Sequence, residues 1–151
     1  MQTKKVVIFK IENEEYAADI MQIEKILDYT EPVKIPETPP FIKGIIKYQD
    51  KILPIIDLKT KLHLSLNALN NDSKIIVVKN GNKYIGLIVD LVLEVIDISD
   101  ENIEETPEII RCILNKYVNG LVKLDNRLII LLDTDKIVSI EEMIELNSLP
   151  I

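Results

Sequence analysis

Apolar residues along this chain come in short runs separated by brief polar breaks, and the runs repeat. GIIKYQDKILPIIDL, Gly44 to Leu58, returns 76 positions later as GLVKLDNRLIILLDT, Gly120 to Thr134, without a gap. Each copy is an apolar run, a polar break (Gln49-Asp50 or Asp125-Asn126) and a second apolar run, the pattern of two strands joined by a tight hairpin. Each then reaches an aspartate followed by a helix-like stretch, LKTKL or TDKIV. A carboxylate there can accept the first-turn N–H groups, so Asp57 and Asp133 are candidate helix N-caps.

A looser similarity precedes each copy. VVIFKIENEEYAADI and KIIVVKNGNKYIGLIVD both hold two apolar runs around a turn, Glu12-Asn13-Glu14 in one and Asn80-Gly81-Asn82 in the other, with Tyr16 and Tyr84 in corresponding places. Each half therefore carries two hairpins. Two hairpins alone leave strand edges exposed, and closure into a small barrel is the usual remedy. The expected architecture is mainly β: one domain over 1–151 made of two pseudo-symmetric, five-stranded SH3-like barrel lobes, about 4–68 and 73–146. Strands apolar at nearly every position (KILPIIDL, RLIILLD) predict an apolar seam shared between the lobes. Ser65–Ser73, polar and Asn-rich, is the expected joint. Two short helices break the symmetry: Met21–Leu27, with Ile20, Ile23, Ile26 and Leu27 at helical spacing, and the tail Glu141–Leu146.

Composition narrows the function. Apolar residues make up 47% of the 151, rich in Ile, Leu and Val and without Trp, which supports a well-buried β core. No apolar run approaches a membrane span, and a cytosolic location is expected. The single cysteine, Cys112, sits among apolar residues and reads as a buried structural thiol. The net charge of −7 comes from the second half. Asp97, Asp100, Glu101, Glu104, Glu105 and Glu108 follow one another with no basic residue between, which disfavours nucleic acid and anionic lipid.

Candidate chemistry is sparse. His63, the one histidine, has no sequence neighbour to complete a metal site or a catalytic pair, and no cofactor or metal is expected. The four glycines form no phosphate-binding loop. DTDKIVSIEEMIE resembles half a calcium loop, but Ile137 and Val138 stand where an oxygen ligand and a glycine are needed. Asp57 and Asp133, each ending a strand of its lobe, suggest a bilobal aspartic-type hydrolase. That chemistry requires Asp-Thr/Ser-Gly, and Asp135 occupies the glycine position of the second copy while Leu58-Lys59 follow Asp57.

TPPFIKGIIKYQDKILPIIDL, with EEYAADI, GLIVDLVLEVIDIS and YVNGLVKLDNRLIILLD in the same order and spacing, resembles the CheW-type chemotaxis coupling proteins from about Val6 to Leu146. The resemblance implies a non-enzymatic adaptor of two SH3-like barrels. Its implied partners are methyl-accepting chemoreceptors, through their cytoplasmic tips, and the regulatory domain of the histidine kinase CheA, with recruitment to receptor arrays. Ile23, Gly44, Gly86 and Val92 fall at the family's receptor-facing positions, and Ile109 at a ring contact with a kinase or adaptor neighbour. The chain departs from the pattern where Lys47-Tyr48-Gln49-Asp50 replaces the usual Asn-Leu-Arg-Gly and where Lys25 replaces an acidic residue. An ion pair rewritten as Lys25 with Asp50 is the expectation from these two changes.

Overall fold

The computed structural model describes residues 3–38, 42–58, 72–104, 108 and 117–137. Among the described residues eleven strands form: β1 (Thr3–Ile11), β2 (Glu14–Asp19), β3 (Ile23–Asp28), β4 (Ile42–Tyr48), β5 (Lys51–Asp57), β6 (Lys74–Asn80), β7 (Lys83–Val89), β8 (Leu91–Ser99), β9 (Ile103–Glu104), β10 (Val118–Leu124) and β11 (Arg127–Leu132). The four expected hairpins all form: β1–β2, β4–β5, β6–β7 and β10–β11. The β4–β5 turn holds φ at 46° for Gln49 and 63° for Asp50, the twist that matches right-handed strands and that aspartate tolerates in place of glycine.

Hairpins assemble across the two halves of the sequence rather than within them. One sheet has the order β8-β1-β2-β11-β10-β9, the other β3-β6-β7-β5-β4. The first hairpin of each half thus joins the second hairpin of the other half, through the parallel pairs β2–β11 and β5–β7. The expected lobes, 4–68 and 73–146, do not coincide with these sheets. Nor does the pairing of either sheet close into the expected barrel: β8 and β9 are edges of the six-stranded sheet, β3 and β4 of the five-stranded one. Each sheet curls around side chains instead. Leu27 of β3 and Tyr48 of β4, from opposite edges, meet the same cluster with Leu53, Ile55, Ile75 and Val77. Val6, Ile8, Ile98, Val122 and Ile129 form its counterpart in the six-stranded sheet. A third cluster joins the two sheets: Phe9, Tyr16 and Ala18 pack with Ile56, Ile76, Val78, Ile85, Leu87 and Leu132. This is the predicted apolar seam.

The expected helix over Met21–Leu27 is corrected to a 3₁₀ turn, Ile20–Gln22, and the strand β3. Asp19 caps the turn by accepting from the Met21 N–H at 2.9 Å. The β-branched Ile23 and Ile26 then pair with β6, and inter-strand pairing overrides the helical spacing. Tyr16 and Tyr84 are likewise not equivalents. The β1–β2 and β6–β7 turns, 12–13 and 81–82, align the strands 69 positions apart, so Tyr16 matches Ile85 and Glu15 matches Tyr84. A one-residue slip changes the face: Tyr16 is buried in the seam, Tyr84 sits on the five-stranded sheet's own cluster.

Asp133 caps as expected, its carboxylate accepting from the Lys136 N–H at 3.2 Å ahead of the helical turn 134–137. Asp57 ends β5 immediately before the helical Leu58, and the rest of that stretch lies outside the described residues. So do His63, Cys112, Ile109, the tail Glu141–Leu146 and all of the joint except Asp72 and Ser73.

Candidate functional site: the rim of the seam

Ile23 opens β3 and Val92 stands near the start of β8, so the chain enters each edge strand by way of these residues. Both are half-buried and pack against the seam cluster. They are also internal equivalents: Ile23 pairs with Val78 and Val92 with Phe9, positions related by the same offset of 69, and each lies at a register shift of its strand pair. Two matched aliphatic side chains therefore border one apolar seam from its two sheets. Met21, next to Ile23, is 76% exposed, the largest value among the exposed large hydrophobics. The expected helix takes in Met21; in the structure this residue belongs to the short 3₁₀ turn that Asp19 caps.

The two glycines at expected receptor-facing positions have packing reasons. Gly44 has φ of 153°, and a Cβ there would lie 2.2 Å from the Val33 carbonyl oxygen and 2.9 Å from Pro32 Cβ. It sits at a register shift in β4, where only glycine allows both the dihedral and the approach of the Val33 strand bridge to Ile45. Gly86, buried in β7, makes room for Ile55, Ile75 and Leu53; a Cβ would come within 2.6 Å of Ile55 Cδ1.

The altered family motif lies at the far edge of the five-stranded sheet. Lys47 is exposed, Tyr48 is buried, and Gln49-Asp50 form the turn. Burial first, then the Glu24 carboxylate reaching from β3, raise the Tyr48 phenol above the usual tyrosine value. Lys25 is exposed on β3, the opposite edge strand. The expected ion pair between Lys25 and Asp50 is not among the ion pairs of the described residues. The charges are compatible, but both side chains are exposed, where an ion pair is worth too little to hold two long side chains in one geometry.

Between the sheets, Gln22 with its amide nitrogen turned inward donates to Asp135 Oδ1 and to the Lys79 carbonyl, both at 3.0 Å. Burial, followed by the charges of Asp133 and Asp19, raises the Asp135 carboxyl. No group of three or more His, Cys, Asp or Glu arranged to hold a metal occurs among the described residues, and none of their helices is long and apolar enough to cross a membrane. Asp133 Oδ1 is engaged in capping, and the hydrolase reading gains no support from its geometry.

These features define a mainly β protein whose candidate site is an apolar rim between two curled sheets, not a constellation of reactive groups. Residues 5–142 match the CheW-like domain family. The chain is 36% identical over 136 residues to the chemotaxis protein CheW of Klebsiella aerogenes, covering 90% of this chain and 82% of that one. It is 28% identical over 138 residues to CheW of Bacillus subtilis, covering 91% and 88%. The crystal structure of the scaffolding protein TtCheW from Thermoanaerobacter tengcongensis superposes with a TM-score of 0.80 at 37% identity, covering 87% of this chain and 90% of that one. The chain belongs to the CheW family, and its role is that of a chemotaxis adaptor.

Proposed function

We propose that this adaptor couples methyl-accepting chemoreceptors to the histidine kinase CheA without making or breaking a bond, and that it works in the cytoplasm at receptor arrays. The carrying observation is the matched pair Ile23 and Val92 at the rim of the seam, half-buried and open to an apolar partner. A receptor hairpin tip laid along that rim would desolvate both, together with Met21, and central aliphatic contacts of this kind supply most of the binding free energy. Gly44 and Gly86 contribute through backbone placement, since the space beside each is already filled. Ile109 is assigned to the kinase-facing end from the family resemblance. One domain of two pseudo-equivalent lobes suits this work: a partner on each face, held in fixed relative geometry.

The test is titration of the purified chain with a receptor tip fragment and, separately, with the CheA regulatory domain. Ile23→Asp should weaken the receptor arm tenfold or more, a loss of about 1.4 kcal/mol or greater, and leave the kinase arm unchanged. Ile109→Glu should do the reverse. A folded wild-type sample that binds neither partner overturns the proposal.

A further inference from the structure

The chain enters its two edge strands differently, and the offset of 69 shows how. On the six-stranded sheet the ladder of β1 with β8 runs past Phe9–Val92 to Lys10–Leu91, and the Asp90 N–H then donates to the Lys10 carbonyl at 2.9 Å. On the five-stranded sheet the ladder of β3 with β6 stops at the matching pair, Ile23 with Val78. Gln22, which matches Leu91, lies in the 3₁₀ turn instead of in a strand.

Asp19 is the cause. It stands where the other half has Ile88, and its carboxylate accepts the Met21 N–H at 2.9 Å. Met21 matches Asp90, so the N–H that serves the Lys10 carbonyl on one side is engaged by a side chain on the other. The Lys79 carbonyl, counterpart of the Lys10 carbonyl, is met by Gln22 instead. The Gln22 amide nitrogen donates to that carbonyl and to Asp135 Oδ1, both at 3.0 Å, which uses both N–H groups of the carboxamide. Asp135 is exposed, so water can replace its share of this contact, whereas the carbonyl bond ties the turn to β6.

We infer that Gln22 is a positioning residue of the rim: it holds the turn Ile20–Gln22 against β6, so that the exposed Met21 and the half-buried Ile23 meet a partner in one arrangement. This role rests on the receptor reading given above. It makes the rim asymmetric. Val92 is placed by main-chain bonds and Ile23 by a side chain, so replacing that side chain loosens one border of the seam and leaves the other as it was.

Three forms of the full chain are compared: wild type, Gln22→Met, which keeps the length and removes both donors, and Gln22→Lys, whose ammonium restores a donor. The Ile23 N–H, which donates to the Ile20 carbonyl and closes the turn, is the local probe. In Gln22→Met its hydrogen exchange should quicken about threefold to tenfold, the size of one neutral hydrogen bond, with the Val92 amide unchanged. Affinity for the receptor tip fragment should fall by a similar factor, while binding of the CheA regulatory domain and the thermal midpoint stay those of wild type. Gln22→Lys should recover both the slow exchange and the tip affinity. If Gln22→Met changes neither, the inference is overturned alone; a loss shared equally by the two titrations also overturns it, because the role is then a general structural one. A wild-type chain that binds the CheA regulatory domain but no tip overturns the receptor reading and this inference together.

Discussion

The two sheets share one plan and hold it together with different chemistry. Arg127 of the six-stranded sheet donates to Glu15 through Nε at 3.4 Å and Nη2 at 2.5 Å, and to Glu94 through Nη1 at 3.5 Å. The five-stranded sheet has Lys51, Tyr84 and Lys25 at the equivalent positions. There Lys51 lies over the Tyr84 ring, 4.1 Å from its centroid, and Lys25 points a second cation where Glu94 points an anion. Elsewhere the symmetry holds: Lys5 with Asp97 at 3.0 Å and Lys74 with Asp28 at 2.6 Å are the same ion pair written twice. A duplicated fold thus keeps its backbone register and its apolar positions while its surface charges diverge.

The glycines give the largest test of that comparison. Gly44 and Gly120 are equivalent and share φ near 150°, but a Cβ at Gly120 meets Ile103 Cγ2 at 3.2 Å and the Glu104 carbonyl oxygen at 3.3 Å, where one at Gly44 meets the Val33 carbonyl oxygen at 2.2 Å. Gly44→Ala should cost about 3 kcal/mol or more, strain and clash together, and Gly120→Ala about 1–2 kcal/mol. Chemical denaturation that finds the two equal would break the distinction. Next in size is Gly86, whose equivalent in the six-stranded sheet is Ala17: Gly86 pairs with Ile55 as Ala17 pairs with Leu131. Gly86→Ala should overpack Ile55 and Ile75 and cost about 1–3 kcal/mol. If it instead leaves stability alone and abolishes receptor binding, Gly86 belongs to the docking face.

Smaller effects separate the two polar networks. Arg127→Met should destabilise by about 1 kcal/mol, since the bidentate contact is partly screened, and Lys51→Met by about 0.5 kcal/mol. Raising salt should shrink the first difference more than the second. Smallest is the Asp28–Lys74 pair, which the hydrogen bond from Lys74 and then its charge lower below the ordinary carboxylate range. A depressed carboxyl adds stability above its unfolded pKa and loses it as the pH falls through the folded value. A nuclear magnetic resonance titration should place the Asp28 midpoint below that of a model peptide, and Lys74→Ala should return it. An unchanged midpoint in that variant would remove the pairing as the cause.

The hairpins were legible in the sequence because turn chemistry is local: Gln49-Asp50, Asp125-Asn126 and Gly81-Asn82 each fix a two-residue loop. The seam was legible because its strands are apolar on both faces. The exchange of hairpins was not. The parallel contact of Tyr16 with Ile130 joins residues from opposite ends of the chain and leaves no periodicity behind. The spacing of Ile20, Ile23 and Ile26 satisfied a helix, and only the partner strand β6, far along the chain, decides otherwise. At the site, Ile23 and Val92 came from the family pattern; that they are symmetry mates emerges only from the shared register of their strand pairs.

The exchange of hairpins bears on how the molecule comes into being. Neither sheet can be completed by one half of the chain: β1 and β2 wait for β8, β10 and β11, while β3, β4 and β5 wait for β6 and β7. The first hairpin meets β8 only once residue 99 has been made and β11 only once residue 132 has, and contacts so distant in sequence slow folding. Cutting the chain between the repeats would give two fragments that are each incomplete alone and that recover structure only by recombining.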